Sequence, residues 1–252
     1  MTSITSAQIQ DELTELGLSE GASVLVHSSL SSFGHVEGGA EAVIGALLGA
    51  VGNSGTVLVP TLTATADHNS SNPPVFDPEN SKSWTGRIPE IFRVRPAAIR
   101  SWHPTHSVAA IGANAKSLTE DHTFSISPCD ECSPYGKLAE SENGYVLLIG
   151  VDYESMTLLH HVEEIAAVDY HMQKDLAKAT IVDGNTTIER HYMMHQWGTP
   201  RDFNILEPLM IERGVQRKTT IGNSEVRLLS AKGVVEVTLK ALRSNSRFLC
   251  KD

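Results

Sequence analysis

A histidine and a glutamate three residues apart form the strongest candidate for catalysis. His160 and Glu163 lie in the segment TLLHHVEEIAAVDY, whose pattern predicts a helix. Residues three apart on a helix share a face, so the two side chains can form a hydrogen bond. A carboxylate beside a histidine fixes the ring tautomer and stabilises the protonated ring, as a general base requires. The pair His161 and Glu164 has the same spacing, so the spacing alone does not decide which pair is catalytic. For either pair, a surface contact of little consequence is an open alternative.

A segment rich in serine and glycine is a second candidate, as a site for phosphate. Residues 27–47 read HSSLSSFGHVEGGAEAVIGAL. Small side chains let backbone N–H groups approach an anion, and the following helix offers the positive end of its dipole. The segment is neither a Walker A loop nor a GxGxxG turn, so an ordinary serine- and glycine-rich turn is an open alternative.

Histidines also raise the question of a metal. His103 and His106, with His160, His161 and Glu163, would offer ligands that zinc accepts. No further ligand follows at a standard spacing, so we expect no metal.

The cysteines do not predict a metal site or a disulfide framework. The sequence contains three of them, an odd number, and its first residues do not predict a signal peptide. Cys129 and Cys132 form a CxxC without the second pair of a structural zinc site. We therefore expect reduced, structurally incidental thiols.

Charge and hydropathy limit the partners. The formal net charge of −10 disfavours nucleic acid and is compatible with a cationic substrate, although solubility alone would also explain it. No apolar run reaches the roughly 18 residues of a membrane helix. The first residues, MTSITSAQIQDELTELG, lack the basic and apolar parts of a signal peptide. We expect a cytoplasmic protein with a small-molecule substrate, no nucleic acid or membrane partner, and a homodimer as one option for its assembly.

Short apolar runs alternate with helical patterns over the first two thirds of the chain. The runs predict strands over residues 23–27, 56–60, 107–111 and 145–151. The patterns predict helices over residues 4–18, 38–51, 89–95 and 157–170. Such alternation is typical of an α/β fold with a mostly parallel central sheet flanked by helices. Ligands of such sheets bind beyond the carboxyl ends of the strands, where the candidate residues lie.

The last third of the chain has a different pattern. It predicts strands over 178–182, 186–194 and 226–229 and a helix over 231–243. We expect an antiparallel C-terminal extension on the same sheet, within one domain spanning residues 1–252. Residues 64–86 predict a long loop of the kind that often carries function.

Five segments in order resemble the aminoglycoside 3-N-acetyltransferase family, the antibiotic N-acetyltransferases that lack the GCN5-type fold. Each is weak alone, and the ordered set, over about residues 8–165, is specific. The segments are VHSSLSSFGHVEGGAEAVIGALLGAVGNSGTVLVPTLT, PVFDP, TGRIPEIFRVRPAAIRSWHPTHSVAAIGANA, SPYGKL and LLIGVDYESMTLLHHVEE.

The resemblance implies a single α/β domain that uses acetyl-CoA as co-substrate. His160 matches the base of the family pattern TxLHxxE, and Glu163 matches the orienting carboxylate. Thr61, or else Thr63, would lie near the thioester, and Ser107 would face the pantetheine arm. The residues implied to bind the coenzyme are Ser28, Ser29, Leu30, Ser31, Gly34 and Val36.

The implied reaction is acetylation of the 3-amino group of an aminoglycoside, with His160 as the general base. Asp152, Tyr153 and Glu154, which follow the strand over 145–151, are our candidates to bind the polycationic acceptor, together with carboxylates of the 64–86 loop. The chain departs from the family in the loop PCDECSP, usually PCGEGSP, and at His161, where an apolar residue is usual.

Three alternatives stay open at this stage. In the first alternative the reaction is the same, but the acceptor is another amino sugar or a biosynthetic amine such as an aminophosphonate. A metal-dependent hydrolase would use His103, His106 and His160. A noncatalytic module would bind coenzyme A or a nucleotide and use His160 only for packing.

Overall fold

The structure, a computed structural model, describes residues 3–251. Ten strands lie in this part of the chain: β1 (Ser23–Ser28), β2 (Thr56–Pro60), β3 (Val75–Phe76), β4 (Ile99–Arg100), β5 (Val108–Gly112), β6 (Gly144–Ile149), β7 (Ala177–Asp183), β8 (Thr186–Tyr192), β9 (Gln216–Ile221) and β10 (Ser224–Ser230). The same residues contain eight α-helices: α1 (Ser6–Leu16), α2 (Gly39–Val51), α3 (Arg87–Arg93), α4 (Ala115–Thr119), α5 (Pro134–Glu140), α6 (Leu158–Ile165), α7 (Glu207–Glu212) and α8 (Ala231–Ser244).

Seven strands form the main sheet, in the order β4-β5-β2-β1-β6-β10-β9. The central strand β1 runs parallel to β2 and to β6, and the outer neighbours are antiparallel. The predicted α/β class with an antiparallel C-terminal part is confirmed. The sheet is mixed, however, and only its centre is parallel. Apolar runs did not reveal this because a buried strand has the same composition in either direction.

Helices cover both faces of the sheet, and strand residues alternate between the two cores. Val24 and Val26 of β1 pack in the core beneath α1, α2 and α3, whereas Leu25 packs in the opposite core with α5, α6 and α8. This alternation is the two-residue period of a strand. Every β1 side chain from Val24 to Val26 is therefore buried, and the polar residues that follow the strand are left at its carboxyl end.

The C-terminal third contributes to two sheets. Strands β10 and β9 extend the main sheet, as expected. The prediction that β7 and β8 would join it is wrong, because this hairpin pairs with β3 in a separate three-stranded sheet. That sheet buries Phe76 from the long loop against Ile181 and Tyr192, so the hairpin holds the loop in place.

Several helix boundaries differ from the predictions. Helix α6 ends at Ile165 rather than near residue 170, because Ala167 has a φ of 50°, which a continuing right-handed helix excludes. Helix α1 begins at Ser6 and is capped by Thr5, whose side chain accepts from the Gln8 N–H in a capping box. Among residues 3–251, no helix combines the length and apolar character needed to cross a bilayer.

Candidate active site

The pair His160 and Glu163 forms on helix α6 as its spacing predicts. Nδ1 of His160 lies 2.7 Å from Oε2 of Glu163. The His160 side chain is 27% exposed, whereas the Glu163 side chain is 0% exposed. A buried carboxylate thus holds an accessible imidazole, which leaves Nε2 of the ring to meet a ligand.

Glu163 has two further partners that hold it in place. Arg201 Nε donates to Oε1 at 2.7 Å, and Nδ1 of His171 lies 3.2 Å from Oε2. Burial alone would raise the pKa of Glu163, but the hydrogen bond to His160 and the neighbouring His171 and Arg201 lower it to about 2. Glu163 is therefore a carboxylate at neutral pH, as a partner of a protonated imidazole must be.

His161 and Glu164 do not form the second pair. Nδ1 of His161 lies 2.6 Å from the carbonyl oxygen of Cys129, and its side chain is buried. Glu164 instead contacts His195, whose Nε2 lies 2.7 Å from Oε1. Burial raises the pKa of Glu164 to about 8, so this carboxyl is largely protonated at neutral pH. Of these four residues, His160 lines the cavities described next.

His160 lines two adjoining cavities, and a third cavity adjoins one of them. A central cavity of about 240 Å³ is lined by His27, Ser28, Thr85, Glu154 and His160, among others. It adjoins a second cavity of about 240 Å³, here called the imidazole cavity, and His160 lines both. The lining residues of the imidazole cavity are Leu62, Ala64, Trp84, His106, His160, His171, His195, Gln196, Trp197, Gly198, Thr199 and Arg201. His160 therefore stands where two ligands would meet.

A third cavity of about 590 Å³, here called the serine cavity, adjoins the central one at Ser28. Its lining residues are Ser28, Ser29, Leu30, Ser31, Gly34, His35, Val36, Gly39, Gly86 and Arg87. The first residue of α2 is Gly39, so the positive end of this helix dipole faces the cavity. The positive end of a helix dipole and the cationic side chain of Arg87 suit an anionic ligand such as a phosphate.

Comparison with known proteins identifies the family. A family model described as aminoglycoside 3-N-acetyltransferase matches residues 25–243. The chain belongs to the aminoglycoside 3-N-acetyltransferase family. Aminoglycoside N(3)-acetyltransferase VII of Streptomyces paromomycinus is 34% identical over 259 residues, covering 92% of this chain and 89% of that protein. Aminoglycoside N(3)-acetyltransferase IX of Micromonospora chalcea is 31% identical over 253 residues, covering 90% and 89%.

Solved structures agree with this assignment. The aminoglycoside acetyltransferase AAC(3)-Xa superposes with a TM-score of 0.82 at 30% identity, covering 99% of this chain and 95% of that one. The binary complex of AAC-IIIb with CoASH superposes with a TM-score of 0.83 at 26% identity, covering 96% and 97%. The resemblance stated from the sequence is confirmed, and the chain is an acetyltransferase of this family.

The structure brings together the loop residues that the family resemblance assigned to the coenzyme. All six of those residues, Ser28, Ser29, Leu30, Ser31, Gly34 and Val36, are among the residues that line the serine cavity. Arg87, at the start of α3, lines the same cavity and was missed, because a single exposed arginine carries no recognisable spacing.

Thr61 and Ser107 do not reach the cavities in this acetyltransferase. Both side chains are fully buried, and their hydroxyl oxygens lie 2.8 Å apart. Arg100 Nε donates to both hydroxyls at 3.1 Å. The alternative, Thr63, donates to the carbonyl oxygen of Pro104 at 2.7 Å. The expected contacts with thioester and pantetheine are therefore corrected: Thr61 and Ser107 tie β2 to β5 behind the site.

Of the three residues expected to bind the acceptor, one lines a cavity, one is exposed and one is buried. Glu154 lines the central cavity and accepts from the Phe203 N–H at 2.8 Å. Asp152 is exposed, and its Oδ2 accepts from the Asn204 side chain at 3.1 Å. Tyr153 is fully buried, and its hydroxyl lies 2.6 Å from Oε1 of Gln216. The expectation for Tyr153 is corrected, because its ring packs in the core.

The first histidine of HPTH is structural. His103 is fully buried, and its Nδ1 accepts from the N–H groups of Thr105 and His106 at 3.3 and 3.1 Å. Its ring stacks on His122 with centroids 4.7 Å apart. Burial lowers the pKa of His103 well below the usual value, so the ring is neutral. A hydrolase site that joins His103 to His160 is therefore not formed.

Sequence reasoning missed three residues that contact Glu163 or Glu164. His171, His195 and Arg201 come from the chain after α6, where each stands alone in the sequence without a motif. Their contacts depend on the path of the backbone through the bridge between Met172 and His195. The family resemblance assigned no role to any of the three.

Proposed function

We propose that the chain transfers the acetyl group of acetyl-CoA to the 3-amino group of an aminoglycoside, with His160 as the general base. The observation that carries this proposal is the position of His160 between the central and imidazole cavities, with its Nδ1 on the buried Glu163 carboxylate. A base must lie within reach of both the amine and the thioester, and this ring lines both cavities.

The serine cavity and Arg87 suit the phosphates of coenzyme A. The solved relative AAC-IIIb, named as a binary complex with CoASH, supports acetyl-CoA as the co-substrate of this chain. The pantetheine arm then enters the central cavity past Ser28, which the two cavities share. This path brings the thioester beside His160.

The reaction follows from the groups that lie where the central cavity meets the imidazole cavity. The acceptor amine nitrogen attacks the thioester carbon while His160 Nε2 accepts a proton from that nitrogen. Glu163 stabilises the imidazolium through Nδ1. The tetrahedral intermediate then collapses, the carbon–sulfur bond breaks, and the proton passes from His160 to the coenzyme A thiolate. The products are the acetylated amine and free coenzyme A.

Ser28 is our candidate donor to the oxyanion in place of Thr61. Its hydroxyl oxygen is buried without a hydrogen-bond partner, and the residue lines the central cavity. An unpartnered buried hydroxyl is costly unless a ligand satisfies it, which favours a contact with the bound thioester.

The acceptor lies in the imidazole cavity under this proposal. Trp84 and Trp197 line it with side chains that are 57% and 50% exposed, and such indole faces suit sugar rings and ammonium groups. Structures of AAC(3)-IVa with a gentamicin and with apramycin are among the solved relatives and support an aminoglycoside acceptor. Glu154 contributes a carboxylate at the adjoining central cavity.

One observation favours the alternative acceptor, another amino sugar or biosynthetic amine. Among the described residues that line the imidazole cavity, none is an aspartate or glutamate, and Arg201 is a cation. A polycation binds less favourably in this cavity than in an acidic cleft, whereas the binding of an amine with one or two positive charges is not weakened.

The test is acetyl-CoA turnover by the purified chain, followed as release of free thiol, against aminoglycosides, simple amino sugars and aminophosphonates. The proposal predicts turnover with aminoglycosides and a product carrying the acetyl group on the 3-amino nitrogen. Turnover only with the other amines would select the alternative acceptor. The single domain over residues 1–252, the cytoplasmic location and the homodimer stay predictions.

A further inference from the structure

His27, the last residue but one of β1, is a buried histidine that the acetyl-transfer mechanism leaves without a role. The residue is 7% exposed and lines the central cavity. Of the three adjoining cavities, His27 lines only this one, whereas Ser28 also lines the serine cavity and His160 also lines the imidazole cavity. His27 therefore lies between the two ends of the path, where the proposed function puts the acetyl group.

The face of the sheet from which His27 extends follows from the two-residue period of β1. Leu25 packs in the core that contains Leu158 of α6, so His27, two residues further on, points to the same face of the sheet. Ser28 points to the opposite face, which α2 and α3 cover. Since α6 also carries His160, His27 lies on the side of the base. The side chains of His27 and Ser28 thus flank the central cavity from opposite faces of the sheet.

The His27 ring has a polar atom that the protein does not satisfy. Its Nε2 is buried and has no hydrogen-bond partner among residues 3–251, and the same holds for the hydroxyl oxygen of Ser28. A buried polar atom without a partner is costly, which favours a contact with a ligand for each of them. Two such atoms, on consecutive residues that line one cavity, indicate one ligand oxygen that accepts from both.

The charge state of His27 suits a hydrogen-bond donor rather than a base. Burial, and to a smaller extent the neighbouring His160, lower the pKa of His27 to about 3, so the ring is neutral near pH 7. A neutral imidazole carries one N–H, and Nε2 can hold it because no protein group donates to this atom. Such a ring is too weak a base to take the proton of the amine. A neutral histidine does polarise a carbonyl oxygen in other enzymes.

We propose that His27 donates a hydrogen bond from Nε2 to the thioester carbonyl oxygen of acetyl-CoA and, with the Ser28 hydroxyl, stabilises the oxyanion of the tetrahedral intermediate. This inference rests on the proposed function. When the amine nitrogen attacks the carbonyl carbon, one electron pair of the C=O bond moves to that oxygen, and the two donors stabilise its negative charge. The pair returns to the carbon–oxygen bond as the carbon–sulfur bond breaks. His27 keeps its proton, and His160 alone carries the proton from the amine to the thiolate.

The first test compares two replacements of His27 in the full chain. His27→Phe keeps a buried ring and removes the donor, whereas His27→Gln keeps an N–H group near the position of Nε2. Loss of one oxyanion donor should lower kcat of His27→Phe by roughly 10²–10³-fold, and His27→Gln should recover about tenfold or more of this loss. The KM for acetyl-CoA should change little in both variants, since His27 does not line the serine cavity.

Thermal stability distinguishes a catalytic role of the ring from a packing role. His27→Phe removes a buried nitrogen without a partner, so its Tm should be unchanged or higher although kcat falls. His191→Phe, at an exposed histidine of β8, is the control and should keep its kcat. Near-normal kcat in His27→Phe, a loss in His27→Gln as large as in His27→Phe, or a fall in Tm that accompanies the loss of kcat would each overturn the proposal.

The second test observes the carbonyl group directly and needs no acceptor. Acetyl-CoA that carries ¹³C in the thioester carbonyl is bound to the wild-type chain, and the infrared band of this carbonyl is compared with that of free acetyl-CoA. Hydrogen bonds from His27 and Ser28 polarise the carbonyl, so the band should move to lower wavenumber on binding. The shift should be smaller in His27→Phe and should be restored in His27→Gln. An equal shift in wild type and His27→Phe would overturn the proposal.

The failure of this inference is distinguishable from the failure of the proposed function. A wild-type chain that does not bind acetyl-CoA would contradict the proposed function and this inference with it. A wild-type chain that binds acetyl-CoA and turns it over, while His27→Phe has the same kcat and the same carbonyl band, would overturn the inference alone.

Discussion

Glu163 and Glu164 are consecutive residues of one helix, yet their pKa values are shifted in opposite directions, to about 2 and to about 8. Both are buried, which raises the pKa of a carboxyl group. For Glu163, the contacts with His160, His171 and Arg201 more than offset this effect of burial and lower the pKa. Glu164 has no cationic partner of similar strength, so its pKa stays raised. Environments that separate two carboxyls in this way are typical of sites with assigned acid and base roles.

The first prediction tests the carboxylate behind the base. Glu163→Gln should lower kcat by roughly 10²-fold, because the neutral amide no longer stabilises the imidazolium of His160. The KM for acetyl-CoA should stay nearly constant, since Glu163 does not line the serine cavity. The matched control is Glu164→Gln, which replaces a carboxyl that is largely protonated at neutral pH. Equal losses of kcat in the two variants would contradict the assignment.

A second prediction concerns the serine cavity. Arg87→Ala should raise the KM for acetyl-CoA about tenfold with little change in kcat, because one charge-assisted contact to a phosphate is lost. Increasing ionic strength should reduce the difference between wild type and variant. Arg213→Ala, which removes an exposed arginine that does not line this cavity, serves as control. A normal KM in Arg87→Ala would place the phosphates elsewhere.

The third prediction tests the buried Arg100. It donates from Nε to Thr61 and Ser107 and from Nη1 to the carbonyl oxygen of Ser81 at 2.6 Å, which ties the long loop to β2 and β5. Arg100→Lys should lower the free energy of unfolding by roughly 1–3 kcal/mol, because a lysine lacks the planar fork and leaves buried acceptors unsatisfied. Urea denaturation measures the loss. No loss of stability would show that the hydrogen bonds are replaceable.

A fourth prediction follows from buried neutral histidines. Burial lowers the pKa of His27 to about 3, of His122 to about 4 and of His103 well below its usual value. The unfolded chain binds protons at these residues near pH 6.5, whereas the folded chain does not. Their contribution to stability is complete above pH 6.5 and is lost as the pH falls towards 4.

The measurement is the free energy of unfolding in urea at pH 7.5, 6 and 5. It should fall steeply below about pH 6.5, the unperturbed histidine pKa. His122→Asn should make the decline shallower, whereas the exposed His191→Asn should not. A free energy of unfolding that is constant from pH 7.5 to 5 would show that these rings are protonated in the folded state.

The sequence identified the parts of the site that are local in the chain. Helical spacing predicted the contact between His160 and Glu163, and the small residues after β1 predicted the serine cavity. Strand β2 begins and ends where its apolar run does, at Thr56 and Pro60. Local patterns suffice here because the interacting groups are within a few residues of each other.

The sequence did not predict which side chains turn inwards after a strand. Thr61 follows β2 directly, but its hydroxyl bonds Ser107 because β5 lies antiparallel beside β2. Strand direction leaves no trace in buried apolar runs, so this contact was not foreseeable. Arg201 and Glu163 are 38 residues apart in the sequence. Tertiary packing brings their side chains into contact, and no sequence spacing indicates it.

The central claim is that the imidazole at position 160 removes the proton from the acceptor amine. The direct measurement is kcat of His160→Ala beside His161→Ala, the adjacent histidine whose Nδ1 lies on the Cys129 carbonyl oxygen. Both variants are first shown to be folded and to bind coenzyme A. We predict that His160→Ala loses roughly 10²–10⁴-fold in kcat while His161→Ala keeps most of it. Near-normal turnover by His160→Ala, or an equal loss in His161→Ala, would contradict the account.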